Sequence, residues 1–156
     1  MDLQSILKEE NINNRSSVSQ AEILQKSLEL VENSAIAMVG SLGPAGYPQI
    51  KAMFKMEVEG LQTIWFGTNT SSKRVRQFMA DPRAAVYFVD EKEFKGLMLV
   101  GDMAVLNDPQ NKQRLWRGGF EVYYPLGVTD PDYSVLRFTT RWGNYYHGLQ
   151  NLTFEI

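Results

Sequence analysis

The stretch "IWFGTNTSSKRVRQFMADPRAAVYF", residues 64–88, decides the fold. It opens as an apolar strand and reaches Thr68 and Asn69. Ser71 or Ser72 then offers an N-cap, a side-chain oxygen for the unpaired amides of a helix start. Val75, Phe78 and Met79 follow at i, i+3 and i+4, so they are expected to form the face that packs down. Asp81 precedes Pro82, and the residue before proline is pushed out of the helical region. Ala84 to Val89 resume a strand. The segment therefore reads strand, short helix, strand.

Working outward, the same alternation of strands and tight turns fills the chain. "AIAMVGSL" (35–42) ends at "GPAG", a turn signal. "PQIKAMFKMEV" (48–58) and "LQTIWFGT" (61–68) are expected to pair across Glu59-Gly60, since glycine accepts a positive φ at no steric cost. Residues 84–89 and "GLMLVGDMAVL" (96–106) are nearly continuous apolar runs, which predicts burial on both faces. "FVDEKEF" (88–94) between them reads as a charged, solvated hairpin loop. "YSVLRFTTRWGNYYH" (133–147) and "LTFEI" (152–156) close the chain as strands. Two further helices are expected. One is "SQAEILQKSLELVENS" with Ser19 as N-cap and Ile23, Leu24, Leu28 and Leu30/Val31 on one face. The other is "DPQNKQRLWRGG" (108–119), with Asp108 as N-cap, Pro109 at the first helical position and Gly118 as the stop. About seven strands with three inserted helices give a mainly β chain, α+β by count. The expected architecture is a closed or partly closed antiparallel barrel with accessory helices, because closure removes sheet edges. Residues 19–156 form the domain, and residues 1–18 are a polar segment with a short helix at most.

Composition narrows the function. The net charge is -2 and the pI about 5.5, which argues against a general nucleic-acid or membrane-surface role. With no cysteine, thiolate metal sites and cysteine nucleophiles are excluded. His147 is the single histidine, so a histidine-rich metal site is impossible and a Ser-His-Asp triad is disfavoured. No paired carboxylates or metal-ligand cluster stand out. No apolar run approaches the ~18 residues of a spanning helix. The first residues show neither a hydrophobic signal core nor a basic start, so a cytoplasmic location is expected.

The basic residues of the opening stretch then raise a question. Lys73 and Arg74 sit at the N-terminus of a helix, where the first amides lack intrahelical partners and the dipole is already positive. Cations are disfavoured there unless an anion or full solvation compensates. A phosphate would receive backbone donors, serine hydroxyls and both cations together. A solvated basic face explains the same residues with no ligand, and on physical grounds alone the two readings stand level. Arg76 has no assigned ligand in either.

The order Thr68-Asn69, Ser72-Lys73-Arg74, Asp81-Pro82-Arg83 and the strand from Ala84 to Phe88 resembles the flavin-binding segment of the pyridoxamine 5'-phosphate oxidase-like split-barrel proteins, and among them the general stress protein branch. "YPQIKAMF" resembles that family's strand with a basic residue two before a small apolar pair. The resemblance extends over about residues 20–106, and less specifically over "LWRGGFEVYYPLGVTDPDYSVLRF". It implies an FMN-binding split barrel. Ser72, Lys73 and Arg74 would contact the FMN phosphate, and Thr68 would lie near the ribityl chain and phosphate. Lys51 stands where the family usually has arginine, beside the flavin pyrimidine ring or phosphate. The backbone of Ala52 and Met53 would run along the isoalloxazine edge. Two departures are visible: the basic pair is Lys-Arg rather than Arg-Lys, and Lys51 lacks the planar fork of arginine.

The resemblance further implies a homodimer with two FMN sites at the subunit interface, each completed by the partner. Trp116, Trp142 and Tyr145 are the aromatic candidates for that completion, though each reads first as a core or interface aromatic. The Arg-x-His pattern of the vitamin B6 phosphate oxidases is missing from "WGNYYHGL", which argues against that activity. The expected function is an FMN-dependent oxidoreductase, flavin reductase-like or reducing a small molecule not identified by the sequence. The alternatives are a non-catalytic flavin-binding or sensing protein, or a split barrel holding haem or a deazaflavin. His147 would be the one histidine available as a haem ligand or as a proton donor to a flavin, against a purely structural role.

Overall fold

A computed structural model describes residues 2–5 and 18–156, and the expectations for residues 6–17 lie outside the described residues. The elements are α1 (Gln20–Asn33), β1 (Ile36–Leu42), β2 (Pro48–Glu59), β3 (Thr63–Asn69), α2 (Lys73–Ala80), β4 (Arg83–Asp90), β5 (Lys95–Leu106), α3 (Pro109–Leu115), β6 (Tyr133–His147) and β7 (Gln150–Glu155). One antiparallel sheet runs β3-β2-β1-β4-β5-β6-β7, and an added pairing of β3 with β6 closes six of its strands into a barrel. The long strand β6 makes closure possible. Its first half, Tyr133 to Thr139, pairs β3, and its second half, Trp142 to His147, carries β7.

The barrel is split on one side. β2 and β3 pair only between Lys55 and Glu59 on β2 and Thr63 and Phe66 on β3. From Gly67 onward β3 pairs β6 alone, while residues 48–54 of β2 pair β1 alone. The second edge of β2 over residues 48–54 therefore has no strand partner among the described residues. The helix α2 follows directly from the end of β3 and lies against β1 and β5.

The core fills the barrel. Val39, Ile64, Phe66, Val86, Phe88, Leu97, Leu99 and Phe138 are almost wholly buried, and Ile23, Leu30 and Val31 of α1 join them. Ser19 caps α1 as expected, in a reciprocal capping box with Glu22. α1 has no basic residue in its last turn. Lys55 of β2 supplies the cation instead, donating from its amine to the carbonyls of Val31 and Glu32. Burial pulls the Lys55 amine below its ordinary range.

Four sequence expectations need correction. β4 alternates between buried and more accessible positions, and β5 between buried and half-buried ones, so neither is fully buried on both faces. The outward apolar residues Tyr87 and Val89 of β4 are exposed. Met79 is 74% exposed and does not pack with Val75 and Phe78: the buried stripe of α2 is narrow and Met79, next to the buried Phe78 in the last turn, falls outside it. The helix after Asp108 ends at Leu115, not at Gly118, since Trp116 leaves helical geometry to join an aromatic cluster. The turn at Gly60 (φ 58°) also takes in Leu61 and Gln62. Thr140 holds it open, its amide donating to Gln62 O and its hydroxyl to Leu61 O.

β5 and β6 slip register between Val100 and Gly101, opposite Thr140 to Trp142. A Cβ at Gly101 would stand 2.0 Å from the carbonyl oxygen of Thr139, a backbone atom that cannot step aside. Gly101→Ala is expected to destabilise the fold by about 1–3 kcal/mol, the usual cost of overpacking. Urea denaturation should show a lower midpoint with little change in slope, and an unchanged midpoint would mean that the bulge is soft.

Candidate functional site

The gap between β2 and the end of β3 is where the basic residues gather. Asn69 turns the chain, and Ser72 becomes the N-cap of α2, its hydroxyl oxygen accepting from the Val75 amide at 3.2 Å. The loop is held rigidly from the far side. The Ser71 amide donates to Asp132 Oδ1 (2.8 Å) and the Thr70 amide to Asp132 O (2.6 Å). The Thr70 hydroxyl meets Pro131 O and Ser134 Oγ. Asp132 thus fixes the direction in which α2 begins.

Ser72, Lys73 and Arg74 line a cavity of about 370 Å³ together with Lys51 and Ile50 of β2, Val39 and Ser41 of β1, Gln49, Asn69 and Gln77. The cross-strand register explains the wall: Lys51 lies opposite Val39 and Gln49 opposite Ser41. An amide relay ties the wall to the helix. Ser41 Oγ donates to Gln77 Oε1 (2.6 Å), and Gln77 Nε2 donates to Gln49 Oε1 (2.8 Å). Gln77 stands four residues after Lys73, on the same face of α2. Ser41, Gln49 and Gln77 are site residues that the sequence does not mark. Only Gln77, four residues from Lys73, and Gln49, two from Lys51, are hinted at by spacing; Ser41 is not.

The remaining expected residues are placed as follows. Thr68 is buried on β3 next to Asn69 and does not line the cavity. Ala52 is exposed and Met53 buried in the core, both on the stretch of β2 whose second edge has no strand partner. Arg76 is exposed and lines a neighbouring cavity of about 620 Å³ with Lys73 and Arg83. Tyr145 is core, 1% exposed, and so does not face a partner chain. Trp142 is half-buried on β6 opposite Val100, and Trp116 packs among aromatic rings. His147, at the end of β6, lines neither cavity described above.

Electrostatics single out Arg74. Among the described residues, three buried side-chain polar atoms have no hydrogen-bond partner, and two of them, Thr68 Oγ1 and Arg74 Nε, belong to this strand-to-helix segment. Buried polar atoms in native proteins are nearly always paired, so orphans of this kind mark a strained or ligand-binding place. Burial lowers the Arg74 pKa from its ordinary value. By contrast Arg83 is paired with Asp81, whose carboxyl it holds down at about 2. The first amides of α2 add donors without intrahelical partners. Together these groups can accept one multiply charged anion. Among the described residues no group of three or more histidine, cysteine, aspartate or glutamate side chains could hold a metal ion. No helix of the described residues is long and apolar enough to cross a membrane.

Comparison with known proteins names the fold. The model of the family "Pyridoxamine 5'-phosphate oxidase like" matches residues 22–155. A solved structure from Clostridium acetobutylicum, described as a protein related to general stress protein 26 of B. subtilis in the pyridoxinephosphate oxidase family, is 48% identical. Its similarity covers 88% of this chain and 97% of that one, with a TM-score of 0.80. General Stress Protein 26 from Bacillus anthracis shares the fold at 13% identity, 86% and 99% coverage and a TM-score of 0.71. A heme binding protein from Mycobacterium smegmatis also shares it, at 13% identity, 88% and 60% coverage and a TM-score of 0.71. A search of curated proteins gave no match. The chain belongs to the pyridoxamine 5'-phosphate oxidase-like family, and its barrel is the split barrel of that family.

Arg74 should be a residue that costs stability without a ligand. Arg74→Met is expected to leave the ligand-free protein as stable as the wild type or more so, by up to about 1 kcal/mol, because an unpaired buried donor is removed. Added inorganic phosphate should raise the wild-type melting temperature and not that of the variant. Equal stabilisation of both by phosphate would place the anion elsewhere.

Proposed function

We propose that the protein is an FMN-dependent oxidoreductase, flavin reductase-like or acting on a small molecule, with FMN held in the slit of the barrel. The observation that carries this reading is the orphaned Arg74 Nε beside Lys73 at a helix start, in a family whose fold provides the slit. Lys73 and Arg74 would neutralise the phosphate. The Ser72 hydroxyl, whose oxygen already accepts from Val75, keeps its proton for a phosphate oxygen. Lys51 adds a third cation from the opposite wall. Thr68 offers a buried hydroxyl in want of a partner. The free edge of β2 at Ala52 and Met53 offers backbone donors and acceptors, the kind of groups a flavin ring edge pairs with. When bound, FMN supplies hydride or electron transfer. The cavity wall has no carboxylate and no histidine, so the chain's own part is binding, orientation and charge. For the haem alternative, His147, the single histidine of the chain, lines neither the slit nor the neighbouring cavity.

A second copy of the chain is part of the proposal. The outer face of the sheet carries Phe54 beside Ile36, and Met38 between Ala52 and Tyr87, with Val89 two residues along. These apolar side chains are 40–72% exposed for Tyr87 to Phe54. A contiguous apolar face of this kind marks an interface. It borders the free edge of β2, so a partner seated on it would close over the slit.

Two experiments test these points. Replacing both cations, Lys73→Ala with Arg74→Ala, should weaken FMN at least roughly tenfold by fluorescence titration, as expected for two charge-assisted phosphate contacts. Unchanged flavin affinity in a folded double variant would count decisively against the site. Met38→Glu with Val89→Glu should convert a dimer to a monomer in light scattering and weaken FMN in parallel. A wild type that is monomeric with FMN bound would sink the interface reading.

A further inference from the structure

A second cavity, of about 480 Å³, opens on the same edge of β2 and has a different chemistry. Phe54, Lys55 and Met56 form one wall, where Gln49 to Lys51 form the wall of the first. Across from them stand Gly67 of β3 and the segment after α3, with Phe120, Tyr123, Tyr124 and Tyr133. Gly67 leaves the floor bare: a Cβ there would meet only the Tyr133 ring, at 3.7 Å.

The rings are arranged around Tyr133, which is fully buried. Trp116 meets Tyr133 at 5.2 Å and 74°, Phe120 meets it at 6.3 Å and 66°, and Tyr124 at 5.0 Å and 43°. Tyr123 crosses Tyr124 at 61°. None of these pairs is a parallel stack; in the edge-to-face pairs the edge of one ring meets the face of another, so the ring surface left free for a ligand lies at the rim. Two aromatic side chains at the rim, Phe54 and Tyr123, are 72% and 75% exposed. The cavity is within the volume range of small-molecule sites.

Its cations are already engaged. Arg117 donates to Glu57 Oε1 at 3.2 Å and to the carbonyls of Arg114 and Trp116. The Lys55 amine is turned to the end of α1. An anionic ligand would find no free counter-charge, in contrast to the first cavity. Tyr124 offers a hydroxyl that burial, with Asp132 and Asp130 nearby, keeps protonated and able to donate.

We infer that this cavity binds an uncharged, planar aromatic molecule of the quinone class, stacked on the exposed ring faces with a carbonyl directed to the Tyr124 hydroxyl. As the substrate site of a flavoprotein it rests on the reading given above; as a ligand cavity it stands on its own residues.

The test is calorimetric titration of the full chain, without added flavin, using 2-methyl-1,4-naphthoquinone. The chain has no cysteine for the quinone to alkylate. Saturable binding is expected in the wild type. It should weaken at least roughly tenfold in Tyr123→Ala with Tyr124→Phe, which removes an exposed ring and the donating hydroxyl and leaves the proposed dimer face at Phe54 intact. Gly67→Leu, which fills the floor, should abolish it. Lys73→Ala with Arg74→Ala should leave it unchanged while FMN binding falls. No saturable binding, or binding indifferent to Tyr123, Tyr124 and Gly67, overturns the inference. Quinone binding in a chain that takes up no FMN would sink the flavin reading alone.

Discussion

Everything at the candidate site depends on where β3 loses one of its two partners. Up to Phe66 the strand is bonded to both β2 and β6; from Gly67 it is bonded only to β6. The barrel stays closed because β6 follows β3 along its whole length, and the slit opens on the other side, where β3 has withdrawn from β2. A backbone edge left unpaired inside a fold is costly unless something meets it. The helix α2 starts at that point and brings cationic side chains and free amides rather than another strand. The slit is accordingly polar at its helical end, and becomes apolar toward Phe54 and the tyrosines.

Much of this was legible in the residues. The 64–88 stretch carried its own punctuation: Ser72 does cap the helix, Pro82 does end it, and Val75 and Phe78 do turn inward. The charge at the wrong end of the dipole pointed to the place where the structure leaves Arg74 Nε without a partner. Other features were hidden for physical reasons. Met79 satisfied the helical spacing, yet spacing alone does not say how wide a stripe of a short helix the sheet covers. The apolar runs of β4 and β5 suggested two covered faces, but on the single chain the second face is exposed along β4 and half-buried along β5. Gln49, Ser41 and Gln77 are ordinary polar residues whose meeting depends on strand register. The aromatic cavity needs residues near 54, 67, 120 and 133 to converge, which no local pattern encodes.

The two cavities share an edge and divide the work of recognition between charge and shape. In the first, three cations and an amide relay face a space with no carboxylate. In the second, each lining cation is bonded to the protein itself, and ring faces provide the surface. Gly67 and Asn69, two residues apart on one strand, belong to different chemistries. Family membership accounts for the scaffold; the segment from Trp116 to Tyr133 contributes most of the aromatic lining of the second cavity.

Lys55 lies at a junction of three structures. It is the last β2 residue before the split, its amide donates to Ala35 O, and its amine holds the end of α1. The final turn of α1 thus acquires its counter-charge from a strand more than twenty residues later in the chain. Helical propensity alone does not complete that turn; the barrel must already be in register. The C-terminal turn of α1 is thereby coupled to the barrel, since any loosening of β2 at Lys55 also withdraws the charge that completes the helix end.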